Sequence, residues 1–303
     1  MYSADIDGPK ACGYGRSLMP SSGIHVSWRT ARHTEGTRGT MAETTTSTTS
    51  ADGTVIGWRR SGEGPPAVLV HGTGGDATNW DMCSGFLEPH HTLLAVDRRG
   101  RGRSSDTSPY DFQREVEDVA AVVTTLDEPP HLIGHSYGAV LALTAAHAGV
   151  PVRSLVLYEP PLLQAPDILD APALRAACEA AIDDGDPDRC FQTFFDAIGE
   201  GHAADLARTI PEVWERFLRD AHTIPREIKA SAGWSVKLAD DVRAPTLLVF
   251  GTESHELFHR SIEALAQVLP QVEISHLEGQ GHMGLGLAPE LVAQNVLGFL
   301  TRH

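Results

Sequence analysis

Hydrophobic positions in this chain change their period several times, and each change marks an element. Ala67-Val68-Leu69-Val70 and Leu93-Leu94-Ala95-Val96 are unbroken apolar runs, closed by His71-Gly72 and by Asp97. Runs this short, without polar alternation, predict strands covered on both faces. Further on the spacing shifts. Phe112, Val116, Val119, Ala120 and Val123 recur at steps of three and four, the apolar stripe of a helix. Pro130-His131-Leu132-Ile133 then leads through Gly134-His135-Ser136-Tyr137-Gly138 into Ala139-Val140-Leu141-Ala142-Leu143, which reads as strand, sharp turn, helix. Leu155-Val156-Leu157-Tyr158 and Thr246-Leu247-Leu248-Val249-Phe250 are two more strands. Ile262, Leu265, Ala266 and Leu269 mark a helix, residues 272–277 alternate as a more exposed strand, and a last helix runs from about Pro289 to Leu300. Ahead of them all, Thr54-Val55-Ile56-Gly57-Trp58 suggests an antiparallel opening strand or hairpin. Strands alternating with helices imply right-handed crossovers and a mostly parallel sheet.

Two segments break the alternation. Pro160-Pro161 opens a stretch, residues 161–240, of helical patterns with no strand between them. Cys190, Phe191, Phe194, Phe195 and Ile198 form one stripe; Val213, Trp214, Phe217, Leu218 and Ala221 form another. This is expected to be a helical cap inserted between residues 51–160 and 241–303 of a single α/β core, its aromatics mostly internal with one or two lining a pocket. Residues 1–50 are rich in Ser, Thr and Gly and end in Thr44-Thr45-Thr46-Ser47-Thr48-Thr49-Ser50. Such a composition buries too little to offset its ordering entropy, so a disordered extension is expected, with translation starting at Met41.

Charge narrows the partners. The formal net charge is -16, which on average repels phosphate backbones and anionic membranes. The short basic run Arg98-Arg99-Gly100-Arg101-Gly102-Arg103 reads as a structural turn, so no nucleic acid and no membrane is expected as a partner. Cys12, Cys83, Cys178 and Cys190 show no paired spacing, and no apolar stretch is long enough for a membrane span. With no signal-peptide core, the expectation is a reduced, cytoplasmic protein acting on a small molecule under the cap, its oligomeric state left open.

Candidate chemistry centres on Ser136. A serine hydroxyl needs a base to take its proton and donors for the oxyanion it creates. His282, in Gly279-Gln280-Gly281-His282 after the last strand, is the candidate base. The backbone N–H groups of Tyr137 and of Thr73, in His71-Gly72-Thr73-Gly74-Gly75, are the candidate oxyanion donors. Two other motifs are read as decoys. His255-Glu256-Leu257-Phe258-His259 matches a zinc-binding pattern but falls after a core strand without an evident third ligand. Asp184-Gly185-Asp186-Pro187-Asp188 lacks the glycine and closing glutamate of a calcium loop. No metal and no cofactor is expected.

The glycine loop at 71–75, the run 97–104, the elbow at 134–138 and Gly281-His282 occur in the order and spacing of the α/β-hydrolase fold superfamily, which residues 51–303 resemble. The resemblance implies a mostly parallel eight-stranded sheet flanked by helices, and a Ser–acid–His triad in that chain order. A serine at 136 sets it apart from members with an Asp nucleophile. The departure is at the acid, for Ser254 stands where most relatives carry it. Glu159, at the end of the strand after the elbow helix, is one replacement; Glu253 or Glu256 is another; a site without an acid is the third. The implied activity is a serine hydrolase for a small to medium ester, lactone or thioester. A carbon–carbon hydrolase, a haloperoxidase-like enzyme, an acyltransferase and a low-turnover ligand-binding protein are the alternatives.

Overall fold

The computed structural model describes residues 44–162 and 165–303. Residues 1–43, with Cys12 and the expected start at Met41, lie outside the described residues. Eight strands form one sheet: β1 (Thr44–Thr49), β2 (Val55–Ser61), β3 (Pro66–Val70), β4 (Thr92–Val96), β5 (His131–His135), β6 (Ser154–Tyr158), β7 (Thr246–Gly251) and β8 (Val272–Leu277). Their spatial order is β1-β2-β4-β3-β5-β6-β7-β8. The first two pairings are antiparallel and all the others parallel.

The central strands are buried along their whole length, as their unbroken apolar runs require. Val68 and Val70 face one side with helices α2 (Phe112–Val123) and α3 (Tyr137–His147). Ala67 and Leu69 face the other with α1 (Asp81–Leu87) and a C-terminal helix at Pro289–Leu300. Helix α3 is apolar all round because it is enclosed by the sheet and its neighbours, and nine of its eleven residues are buried.

The threonine-rich tract corrects one expectation. Residues 44–49, assigned above to a disordered extension, are the edge strand β1, pairing from Thr44 opposite Arg60 to Thr49 opposite Val55. Threonine is poor at burying apolar area yet favours extended backbone, and an edge strand asks for little burial. The basic run is a folded turn. Arg98, Arg99 and Arg101 are all buried. Arg98 pairs with Glu115 at 2.7 Å and with Glu227 at 2.9 Å, and Arg99 pairs with Asp118 at 2.7 Å.

Between β6 and β7 the chain builds α4 (Ala171–Asp183), α5 (Pro187–Ala197), α6 (Gly201–Arg208), α7 (Pro211–Asp220) and α8 (Ile224–Ala230). The two apolar stripes read from the sequence face each other here: the Phe191 ring stacks on Phe217 at 4.8 Å and meets Trp214 edge-on at 5.6 Å. Asp186, from the calcium-like motif, caps α5 by accepting from the Arg189 N–H. After β7 come α9 (Glu256–Val268), α10 (Gly284–Leu287) and α11 (Pro289–Leu300). No helix among the described residues is long and apolar enough to cross a membrane.

Candidate active site

Ser136 sits at the step from β5 into α3 with φ 56° and ψ -122°, a conformation that costs an L residue of order 1–3 kcal/mol and persists only where its surroundings enforce it. The glycines explain how the turn closes. A Cβ on Gly134 would lie 2.4 Å from the Gly138 carbonyl oxygen, and one on Gly138 would lie 2.1 Å from that of Val70. A Cβ on Gly72 would come within 2.9 Å of the Ser136 Cβ. The loop after β3 therefore touches the elbow directly, and three bare backbones make that approach possible. Among the described residues the N–H groups of Thr73 and Tyr137 have no hydrogen-bond acceptor. Both residues line a cavity together with Ser136.

Glu159 follows β6 as Ser136 follows β5. His135 and Tyr158 are paired in the sheet, and the Ser136 N–H donates to the Tyr158 carbonyl at 2.8 Å. Serine and glutamate thus emerge side by side from neighbouring strands. Glu159 is fully buried and also has a positive φ, 50°. Its Oε2 accepts from His282 Nδ1 at 2.5 Å. Its Oε1 accepts from the Gly251 N–H at 2.7 Å and from the Ser254 hydroxyl. The residue found where most relatives have their acid is a donor that holds this one. Glu253 and Glu256 are exposed, and Glu256 pairs with Arg260 at 2.6 Å. Of the three candidate carboxylates, the fold brings Glu159 alone to His282. Replacing Ser254 by Ala should lower kcat on a p-nitrophenyl ester about tenfold with KM unchanged, since one of two donors orienting the carboxylate is lost; an unchanged kcat would mean that Gly251 N–H suffices.

His282 is held from several sides. Phe258 stacks on its ring at 4.1 Å and 10°. Its carbonyl accepts from His135 Nε2 at 2.9 Å, and the Tyr158 hydroxyl donates to the Gly281 carbonyl at 2.8 Å. Burial first, and the adjacent His282 second, hold the His135 imidazole well below the usual histidine range, so it adds no positive charge beside the site. From the insertion, Glu200 accepts the His282 N–H at 2.7 Å. Desolvation raises its carboxyl above the usual range. Glu200 and Phe258 carry no local sequence signal, because only the chain's return in space puts them here. Ser136 and His282 line one small cavity with Thr73, and among the described residues no hydrogen bond joins the hydroxyl to the imidazole; such bonds often tighten only around substrate.

A family model described as "Alpha/beta hydrolase family" matches residues 67–295. The chain belongs to that family. A solved α/β hydrolase from Sphaerobacter thermophilus is 30% identical to this hydrolase, with a TM-score of 0.74 over 84% of this chain and 100% of its own. Among curated relatives, the N-formylmaleamate deformylase of Pseudomonas putida is 27% identical over 252 residues, 74% of this chain and 84% of that protein. Polyketide synthase ThaQ of Burkholderia thailandensis is 27% identical over 266 residues, but this chain spans only 12% of its length.

Above Ser136 the hydrolase has a cavity of about 510 Å³, between the strand tips and the insertion, a size that suits a small organic ligand. The zinc-like motif is built into the frame. His255 caps α9 by accepting from the Leu257 N–H at 3.3 Å, and His259 meets the Phe250 ring edge-on at 5.0 Å. No group of three His, Cys, Asp or Glu among the described residues could hold a metal ion. Cys83, Cys178 and Cys190 are buried free thiols.

Proposed function

We propose that this hydrolase transfers an acyl group to water through an acyl-enzyme on Ser136, with His282 as base and Glu159 as the acid. The observation that carries the reading is the hydrogen bond of His282 Nδ1 to Glu159. A carboxylate accepts, so the proton lies on Nδ1 and Nε2 keeps the lone pair that can take the serine proton. Ser136 Oγ attacks the carbonyl carbon, its proton passes to His282 Nε2, and the oxyanion meets the N–H groups of Thr73 and Tyr137. The Tyr137 N–H is also the first donor of α3, so the positive end of that helix adds to the stabilisation. His282 then protonates the leaving group; water, giving its proton to His282, attacks the acyl carbon, and Ser136 Oγ leaves with that proton as the acid is released. Substrates are small to medium esters, lactones or thioesters that fill the cavity. The Ser254–Glu159 bond favours this over a low-turnover binding protein, because it supplies a reason for a serine at 254 other than loss of the acid.

A fluorophosphonate probe tests the proposal. Near neutral pH it should label the protein once, on the peptide carrying Ser136, with labelling abolished in Ser136→Ala. Absence of labelling in the wild-type protein, or labelling elsewhere, would sink it.

A further inference from the structure

The cavity above Ser136 is mostly apolar, its walls including Leu169, Leu174, Ile228 and Trp234. Three charged side chains share the lining: Glu227, Arg175 and Lys229. Glu227 is held at one oxygen, since its Oε1 accepts from Arg98 at 2.9 Å and contacts Arg101, while its Oε2 is buried without a hydrogen-bond partner. The two cations are different. Arg175 projects from α4 on the same face as Ala171 and Leu174, one turn apart. It makes only a loose i,i+4 ion pair with Glu179, Nε to Oε1 at 3.8 Å, too far for a hydrogen bond, and that buried Nε has no hydrogen-bond partner. Lys229, on the facing α8, is exposed and makes no ion pair among the described residues. Helices α4 and α8 pack together, and both cations line the one cavity.

In a protein of net charge -16 this placement matters. The average field turns anions away, and two cations at a cavity with apolar walls, Lys229 without an ion pair and Arg175 only loosely paired, oppose that field locally. We infer that the cavity takes a substrate whose apolar chain ends in a carboxylate, and that Arg175 and Lys229 bind that carboxylate while the ester lies over Ser136. The inference rests on the serine-hydrolase reading above and adds the substrate class. The chemistry is shared by two arrangements, a carboxylate on the acyl chain or one on the leaving group, and paired substrates separate them.

The experiment compares p-nitrophenyl half-esters of adipate and suberate with neutral p-nitrophenyl alkanoates of matched length, and 4-acetoxybenzoate with phenyl acetate. The readout is the ratio of kcat/KM, anionic over neutral, in wild type, Arg175→Gln, Lys229→Gln and the double variant. In at least one pair the ratio should fall about threefold to tenfold in each single variant, chiefly through KM. The loss should be larger in the double variant, and the wild-type ratio should shrink as salt is raised. The charge-reversed double variant, Arg175→Glu with Lys229→Glu, should instead favour p-nitrophenyl 6-aminohexanoate over its neutral match, a gain that misfolding cannot produce. Ratios unmoved in both pairs, or equal loss on anionic and neutral esters without that gain, would overturn the inference. Fluorophosphonate labelling of every variant separates the two readings. Ser136 labelled with the ratio unmoved counts against the carboxylate site alone, whereas Ser136 unlabelled in wild type counts against the serine mechanism beneath it.

Discussion

Glu159→Gln should lower kcat on a neutral p-nitrophenyl ester by about 10⁴-fold, the scale seen when a triad carboxylate becomes an amide, with little change in KM. The size follows from which way the amide must point. The Gly251 N–H and the Ser254 hydroxyl both donate to Glu159 Oε1, so the glutamine carbonyl oxygen has to occupy that position. Its NH2 group then faces His282 Nδ1, where the native carboxylate accepts at 2.5 Å. An N–H donor there forces the imidazole to accept at Nδ1 and to carry its proton on Nε2. The histidine would be correctly placed and in the wrong tautomer to take a proton from Ser136. Glu253→Gln and Glu256→Gln remove exposed carboxylates and should leave kcat within about twofold, as surface charges of this kind usually do. A steady-state comparison of the three variants decides the assignment; full activity in Glu159→Gln would end it.

The second large effect belongs to Ser136→Ala, expected to cost about 10⁶-fold in kcat. Residues acting as one unit lose their function together, so adding Glu159→Gln to Ser136→Ala should cost almost nothing more. Whatever turnover is left comes from the Thr73 and Tyr137 N–H groups and from binding in the cavity, and neither depends on the glutamate. Losses that multiply in the double variant would show that serine and glutamate act in separate events. The serine-to-alanine change should also relieve no strain, because the positive φ at 136 is imposed by the Gly72, Gly134 and Gly138 contacts and penalises alanine as well.

The sequence made the adjacent-residue features legible. The elbow, the glycine loop after β3 and the histidine after β8 are each contiguous, and their residue types follow from backbone geometry that five residues can encode. The both-faces-buried strands were equally plain, since β3 to β6 lack polar alternation. Two things depend on how distant segments return. The choice among Glu159, Glu253 and Glu256 turns on β6 lying next to β5, a fact of sheet order. Glu200 and Phe258 reach His282 from the insertion and from α9, and no local pattern marks them. Strand β1 was misread because low hydrophobicity argued against order, while the threonines' preference for extended backbone, satisfied by pairing with β2, argued for it.

Ser136 and Glu159 each follow one member of the paired positions His135 and Tyr158, and this has a mechanical consequence. Their separation is a lattice constant of the sheet, fixed by the same ladder that spaces every strand at about 4.8 Å. Insertions, deletions or breathing in the connecting segments cannot alter it. Alignment error in the proposed triad therefore collects in the one member carried by a loop, and the four groups gripping His282 and its neighbour (Phe258, His135, Tyr158 and Glu200) are placed where a tolerance would otherwise have been lost.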